Sequence, residues 1–131
     1  MEVAVVNVVD TEVGAAKQQL EAQGLKVDIE GEGEIVLGQI PRGGQTMPKS
    51  GKVILYTQEG YEQKMATVPN VVGKTAEQAN QALVNAGLNI RFSSQLDKGS
   101  TATVVSQSEL ADTQVPEGTI VTVDFIHEVG D

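Results

Sequence analysis

Side-chain chemistry needs a nucleophile, a base or a set of ligands, and this chain of 131 residues is poor in all three. It has no cysteine and a single histidine, His127. Cys-His pairs, thiolate metal sites and disulfides are thereby excluded, and a zinc site of the usual ligand set cannot be assembled. A Ser-His-Asp triad would have to rest on a histidine near the chain end, so His127 reads as an exposed terminal residue. Gly73-Lys74-Thr75 imitates the end of a phosphate-binding loop, but Val68 stands where that loop requires its first glycine. No serine has a lysine three positions on, and Lys74-Thr75 runs into Ala76 rather than the glycine of a Lys-Thr-Gly strand. Asp28, Glu30, Glu32 and Glu34 form the densest acidic run. Their spacing does not match a calcium loop, and they read as a solvated acidic hairpin. No carboxylate pair has a visible setting that would split its pKa values for acid–base work. The expectation is a chain without catalysis, metal or cofactor.

Net charge points the same way. Nine basic residues stand against eighteen acidic ones, giving −9. Such a surface repels phosphate backbones, and no basic patch interleaved with aromatics is present, so nucleic acid is excluded as a partner. Anionic wall polymers and acidic lipid head groups are disfavoured until salt or divalent ions screen the charge. Hydrophobic residues make up 40% and aromatics only 3%, so the core must be built from Val, Ile, Leu and Ala. No stretch approaches the ~20 apolar residues of a membrane span, and residues 1–10 lack the pattern of a signal peptide. The chain is expected to be soluble, with any anchor of its parent lying outside it.

The elements that position these residues come in duplicate. Residues 5–25 read VVNVVDTEVGAAKQQLEAQGL and residues 68–88 read VPNVVGKTAEQANQALVNAGL. A shift of 63 pairs Asn7 with Asn70, Val8 with Val71, Leu20 with Leu83 and Gly24 with Gly87. A shift of 68 then pairs Gln39 with Gln107, Pro48 with Pro116 and Val53 with Val121. The second copy therefore carries an insertion of five residues, expected near 94–102 in a turn.

Each copy predicts a strand (residues 5–9, and 67–72), a helix (12–23, and 75–86) and three further strands. Those strands are expected at 26–30, 34–40 and 52–57, and at 89–94, 101–107 and 119–126. Val13, Ala16 and Leu20 recur as Ala76, Ala79 and Leu83, one apolar stripe per helix. Thr75 and Gln78 have capping-box spacing, whereas the first helix would be capped by Asp10 or Thr11. Gly24 and Gly87 fit left-handed C-terminal positions. Residues 58–66 are polar. Tyr61 and Met65 there read either as anchors between the units or as part of a solvated tether.

The motifs VPNVVGKTAEQANQALVNAGL and VVSQSELADTQVPEGTIVTVDF resemble the PASTA domain pattern. That pattern has a V-P-x-V-x-G start, a helix ending A-G-L, a V-x-x-Q motif and a P-x-G turn into a V-x-V strand. The first copy is degenerate, with Val6 in place of the proline and Asp10 in place of the glycine. The resemblance implies an α+β fold of two tandem β-α-β-β-β modules, each one helix packed on a small three-stranded sheet. The expected division is 1–57 for repeat 1, 58–66 for a linker and 67–131 for repeat 2.

PASTA modules occur in the extracellular parts of class B penicillin-binding proteins and Hanks-type Ser/Thr kinases of Gram-positive bacteria. GKVILYT and VTVDFIHE look more like the penicillin-binding type, including division and sporulation forms. The implied role is a non-catalytic accessory module on the extracellular face of the membrane. It would contact its own transpeptidase domain, other divisome or cell-wall proteins, or weakly a muropeptide or β-lactam. The alternative is a muropeptide-sensing ectodomain of a kinase. Muropeptide stems carry carboxylates and amides, so a groove should offer Arg beside amides or hydroxyls. The candidates are Arg42 with Gln39, and Arg91 with Gln107 and Ser108.

Overall fold

The computed structural model describes residues 2–93 and 102–125. His127, the strand ends at 94, 101 and 126, and most of the insertion lie outside them. In repeat 1, β1 (Glu2–Ala4) is followed by α1 (Val13–Ala22), β2 (Lys26–Glu30), β3 (Gly38–Ile40), β4 (Thr46–Pro48) and β5 (Lys52–Tyr56). Repeat 2 runs through β6 (Met65–Thr67), α2 (Ala76–Asn85), β7 (Asn89–Phe92), β8 (Val104–Gln107), β9 (Gln114–Pro116) and β10 (Ile120–Phe125). The three-stranded sheets have the orders β2-β5-β3 and β7-β10-β8. In each the central strand is parallel to its first neighbour and antiparallel to its second. The fold is α+β, with two such modules in tandem.

The helices bury the predicted stripe, Ala16 and Leu20 in α1, Ala79 and Leu83 in α2. Each stripe meets its own sheet, through Val53 and Leu55 in repeat 1 and Val121 and Val123 in repeat 2. The capping box at Thr75 and Gln78 is formed. In α1 neither Asp10 nor Thr11 takes the N-cap, which falls on Glu12 without a side-chain bond. The reason is that a neighbouring segment supplies the acceptor, the Val13 N–H donating to the Glu34 carbonyl. Leu25 and Leu88 close both helix ends by donating to the carbonyls of Leu20 and Leu83.

Two expectations about strands change. The apolar run at 5–9 is not a ladder strand, and neither is that at 67–72 beyond Thr67, where β6 ends; β1 precedes the first run, within which Val5 and Val8 are buried in the core. Side-chain amides meet much of its backbone, Gln23 at Val6 and Gln39 at Val8. The run reported burial, not sheet pairing. The strand expected at 34–40 is regular only over Gly38–Ile40, with Ile35 in an isolated bridge to Glu12. β4 and β9, which pair with β1 and β6, have no sequence signal because each is three residues with one buried.

Candidate functional site

The two candidate glutamines serve the fold itself. Gln39 is 6% exposed; its Oε1 accepts from the Val8 N–H at 2.7 Å, and its Nε2 donates to the carbonyls of Val6 and Pro41, each at 3.1 Å. Gln107 repeats this. Its Oε1 accepts from the Val71 N–H at 2.9 Å, and its Nε2 donates to Pro69 at 3.1 Å and Glu109 at 2.8 Å. Both Nε2 protons are occupied in each case, so the amides hold the segment before the helix against the sheet and have little left for a ligand.

Arg42 has a different setting. It is exposed and lines a groove of about 440 Å³ with Asn7, Gly38, Gly43, Tyr61 and Gln63. The ring of Tyr61 is stacked on Tyr56, centroids 4.5 Å apart and planes within 7°. Gly38 makes room for it, since a Cβ there would stand 2.1 Å from the Tyr61 hydroxyl. The groove thus joins a guanidinium, two amide side chains and a phenol, none of them adjacent in sequence. Met65, the other residue considered as an anchor, is 53% exposed at the start of β6.

Arg91 and Ser108 share a second surface, the face of the repeat 2 sheet turned away from α2. Arg91 lies beside Thr122 in the parallel register, and the Ser108 hydroxyl accepts from the Thr122 N–H at 2.8 Å. Gln107 is on the opposite face, so the structure brings two of these three candidates together and separates the third. The next row holds Asp124, whose pKa is lowered by hydrogen bonds from Ser93 and then Ser106, the latter at 3.0 Å. This surface is polar.

Sequence reasoning missed the joint between the repeats. Ile54 and Tyr56 on β5 are buried but belong to neither core. Ile54 faces repeat 2, where Gly118 comes so close that a Cβ would sit 2.8 Å from the Ile40 carbonyl oxygen and 3.3 Å from Ile54 Cδ1, while Tyr56 lies under the linker, stacked on Tyr61 and accepting from the Lys64 N–H at 2.9 Å. Asn89, 4% exposed, grips the Lys52 backbone from both sides. Its Oδ1 accepts from the Lys52 N–H at 2.7 Å, and its Nδ2 donates to the Lys52 carbonyl at 2.7 Å and to that of Gly118 at 2.8 Å. Lys52 Nζ reaches Glu117 at 3.2 Å and Asp28 at 3.7 Å. Lys64 pairs with Glu30, and its pKa is raised by that hydrogen bond and charge. Two of the four carboxylates read as a solvated hairpin are therefore ion-paired at the joint. The available signal was KVILYT itself, apolar on both faces where a half-buried strand would alternate.

The family described as PASTA domain matches residues 3–59 and 66–125. The chain belongs to the PASTA domain family. A probable serine/threonine-protein kinase of Streptomyces coelicolor is 35% identical over 130 residues, covering 92% of this chain. The chain spans 19% of that kinase's length. The extracellular region of the Ser/Thr kinase PrkC from Staphylococcus aureus aligns with 95% of this chain and 46% of its own, at 20% identity and a TM-score of 0.37. Penicillin Binding Protein 2X from Streptococcus thermophilus aligns with 97% of this chain and 17% of its own, at 14% identity and a TM-score of 0.42. A PASTA pair is a non-catalytic, extracellular-type accessory module. No helix of the described residues is long and apolar enough to cross a membrane.

Proposed function

We propose that this PASTA pair is the extracellular recognition and positioning part of a membrane-anchored cell-wall protein, and that it contacts peptide stems of peptidoglycan through the Arg42 groove. The observation that carries this reading is the convergence of Arg42, Asn7, Tyr61 and Gln63 on one groove. A guanidinium pairs a stem carboxylate, the amides read its peptide bonds, and an aromatic ring offers a surface to sugar. Arg91 with Ser108 is the second contact surface. Gln39 and Gln107 act by holding these segments in place.

The 35% identity to a kinase supports a Ser/Thr-kinase parent. A penicillin-binding transpeptidase parent is the second reading, favoured by the phrases GKVILYT and VTVDFIHE and by the buried joint, which suits a rigid spacer against a catalytic domain. NMR shift mapping with purified muropeptides tests the recognition reading, with wild type beside Arg42→Ala and Arg91→Ala. Saturable shifts around Arg42 that disappear in Arg42→Ala support it. Absence of shifts at millimolar muropeptide overturns it, and shifts from an added transpeptidase domain instead would establish the spacer role.

A further inference from the structure

The segment between the repeats is built as a strap. Residues 58–63 leave repeat 1 at Thr57, which donates to the Glu30 carbonyl and accepts from the Gly33 N–H at 3.1 Å. They reach repeat 2 at Lys64. Between these fixed ends every residue is exposed except Tyr61, which is half-buried on Tyr56. One ring therefore pins a short polar segment at its middle. The seat under that ring is peculiar to repeat 1, because the shift of 68 puts Ser106 and Asp124 where Gly38 and Tyr56 stand. Lys64 is tied to both repeats at once. Its N–H donates to the Tyr56 hydroxyl at 2.9 Å and its ammonium pairs with Glu30, while its carbonyl accepts from the Glu117 N–H at 2.7 Å. Glu117 in turn holds Lys52 Nζ, and Asn89 grips the backbone of that same lysine.

The same strap supplies Tyr61 and Gln63 to the Arg42 groove. We infer that the seating of Tyr61 on Tyr56 couples that groove to the joint, so that filling the one stiffens the other. Two sites are coupled when both bias one element that has two positions, and the coupling is reciprocal. Here the element is the strap, seated or lifted. Lifted, it withdraws Tyr61 and Gln63 from the groove and slackens the Lys64 clasp between Tyr56 and Glu117. Seated, it completes both. An occupant that leans on Tyr61 or Gln63 selects the seated strap, and with it the closed joint. The identity of that occupant rests on the preceding reading; the coupling does not.

Gly38→Ala tests the coupling without touching the joint, because the new methyl would stand 2.1 Å from the Tyr61 hydroxyl and lift the ring. Tyr56 and Tyr61 are the only tyrosines and there is no tryptophan, so near-ultraviolet circular dichroism reads the stacked pair directly. Amide hydrogen exchange reads the joint at Glu117 and, at the other end of β5 from the rings, at Lys52. Leu88, bonded within repeat 2, is the reference. Gly38→Ala and Tyr61→Ala are expected to lose the tyrosine signal and to raise exchange at Glu117 and Lys52 about tenfold, with Leu88 unchanged. In the other direction, Asn89→Ala is expected to weaken the tyrosine signal. A lost tyrosine signal with Glu117 and Lys52 unchanged would show groove and joint to be independent and overturn the inference. So would a tyrosine signal that persists in Gly38→Ala or in Asn89→Ala, or a rise at Leu88 equal to that at Lys52, which marks general loosening. Failure of muropeptide to bind the wild type would remove only the preceding reading, since none of these measurements needs a ligand.

Discussion

The last strands of the two repeats occupy the same place in the same fold, yet they face different surroundings. In β5 every residue from Val53 to Tyr56 is buried; in β10 burial alternates, with Asp124 exposed. The residues toward the helix match, Val53 with Val121 and Leu55 with Val123. Those on the other face do not. Ile54 becomes Thr122 and Tyr56 becomes Asp124. Ile54 lies against Gly118 of the neighbouring repeat and Tyr56 against Tyr61 and Lys64 of the linker, whereas the second pair is left to water and to Ser93, Ser106 and Ser108. The mating side differs as well. Where repeat 2 presents Asn89, Glu117 and Gly118, repeat 1 has Lys26, Lys49 and Ser50. The joint is therefore written into one copy of each surface. Neither the outer face of repeat 2 nor the equivalent edge of repeat 1 carries the residues to form it again, which resembles the way solenoid caps end a stack with a polar face.

Exchanging the differing residues is the most severe way to break this comparison. Ile54→Thr with Tyr56→Asp would remove two buried side chains and place a carboxylate under the linker in the space the Tyr56 ring fills. Unfolding in urea is expected to show a loss of about 4 kcal/mol. The reciprocal pair, Thr122→Ile with Asp124→Tyr, lies on an open surface and should stay within about 0.5 kcal/mol. Equal costs for both exchanges would show that the two faces are not differently used.

Asn89→Ala leaves the Lys52 N–H and carbonyl without their partner, and the expected cost is about 2 kcal/mol. If the amide is what locks the joint, small-angle scattering will also report a larger radius of gyration for this variant. An unchanged radius would assign the locking to the packing of Ile40 and Ile54 on Gly118 and to the Lys52–Glu117 pair.

Backbone comparison gives a smaller pair of effects. Gly118 has φ +92 and lies against the Ile40 carbonyl, so Gly118→Ala should destabilise by more than about 1 kcal/mol. Its counterpart Ser50 holds φ +74 with a side chain present, and Ser50→Gly should gain about 0.5 kcal/mol in thermal denaturation. A loss on Ser50→Gly would mean that its side chain does more than tolerate that conformation.

The smallest effect is electrostatic. Asp124 is held below its ordinary pKa by Ser93 and Ser106, so its favourable contribution is present above the ordinary carboxylate value and lost as pH falls through the lowered one. Ser93→Ala should raise the Asp124 titration midpoint more than Ser106→Ala, followed by carboxyl NMR. No movement in either variant would detach this face from its serine contacts.

Residues local to one another were legible early. The two helices, their apolar stripes, the Thr75 capping box and the glycine ends are decided within a few positions, where spacing alone carries the information. Arg42 and Arg91 were legible as residue types suited to a carboxylate, but not as neighbours of anything. Sequence by itself determined the duplication, the α+β module and the absence of cysteine and paired histidine chemistry. Tertiary structure decided that Tyr61 joins Arg42, that Gln39 and Gln107 are held by backbone, and that Asn89 grips Lys52 across 37 positions. The physical reason is that hydrophobic periodicity records how deeply a residue is buried and not what covers it. KVILYT announced two covered faces, and only the folded chain could show that the second cover was the other repeat over Ile54 and the linker over Tyr56.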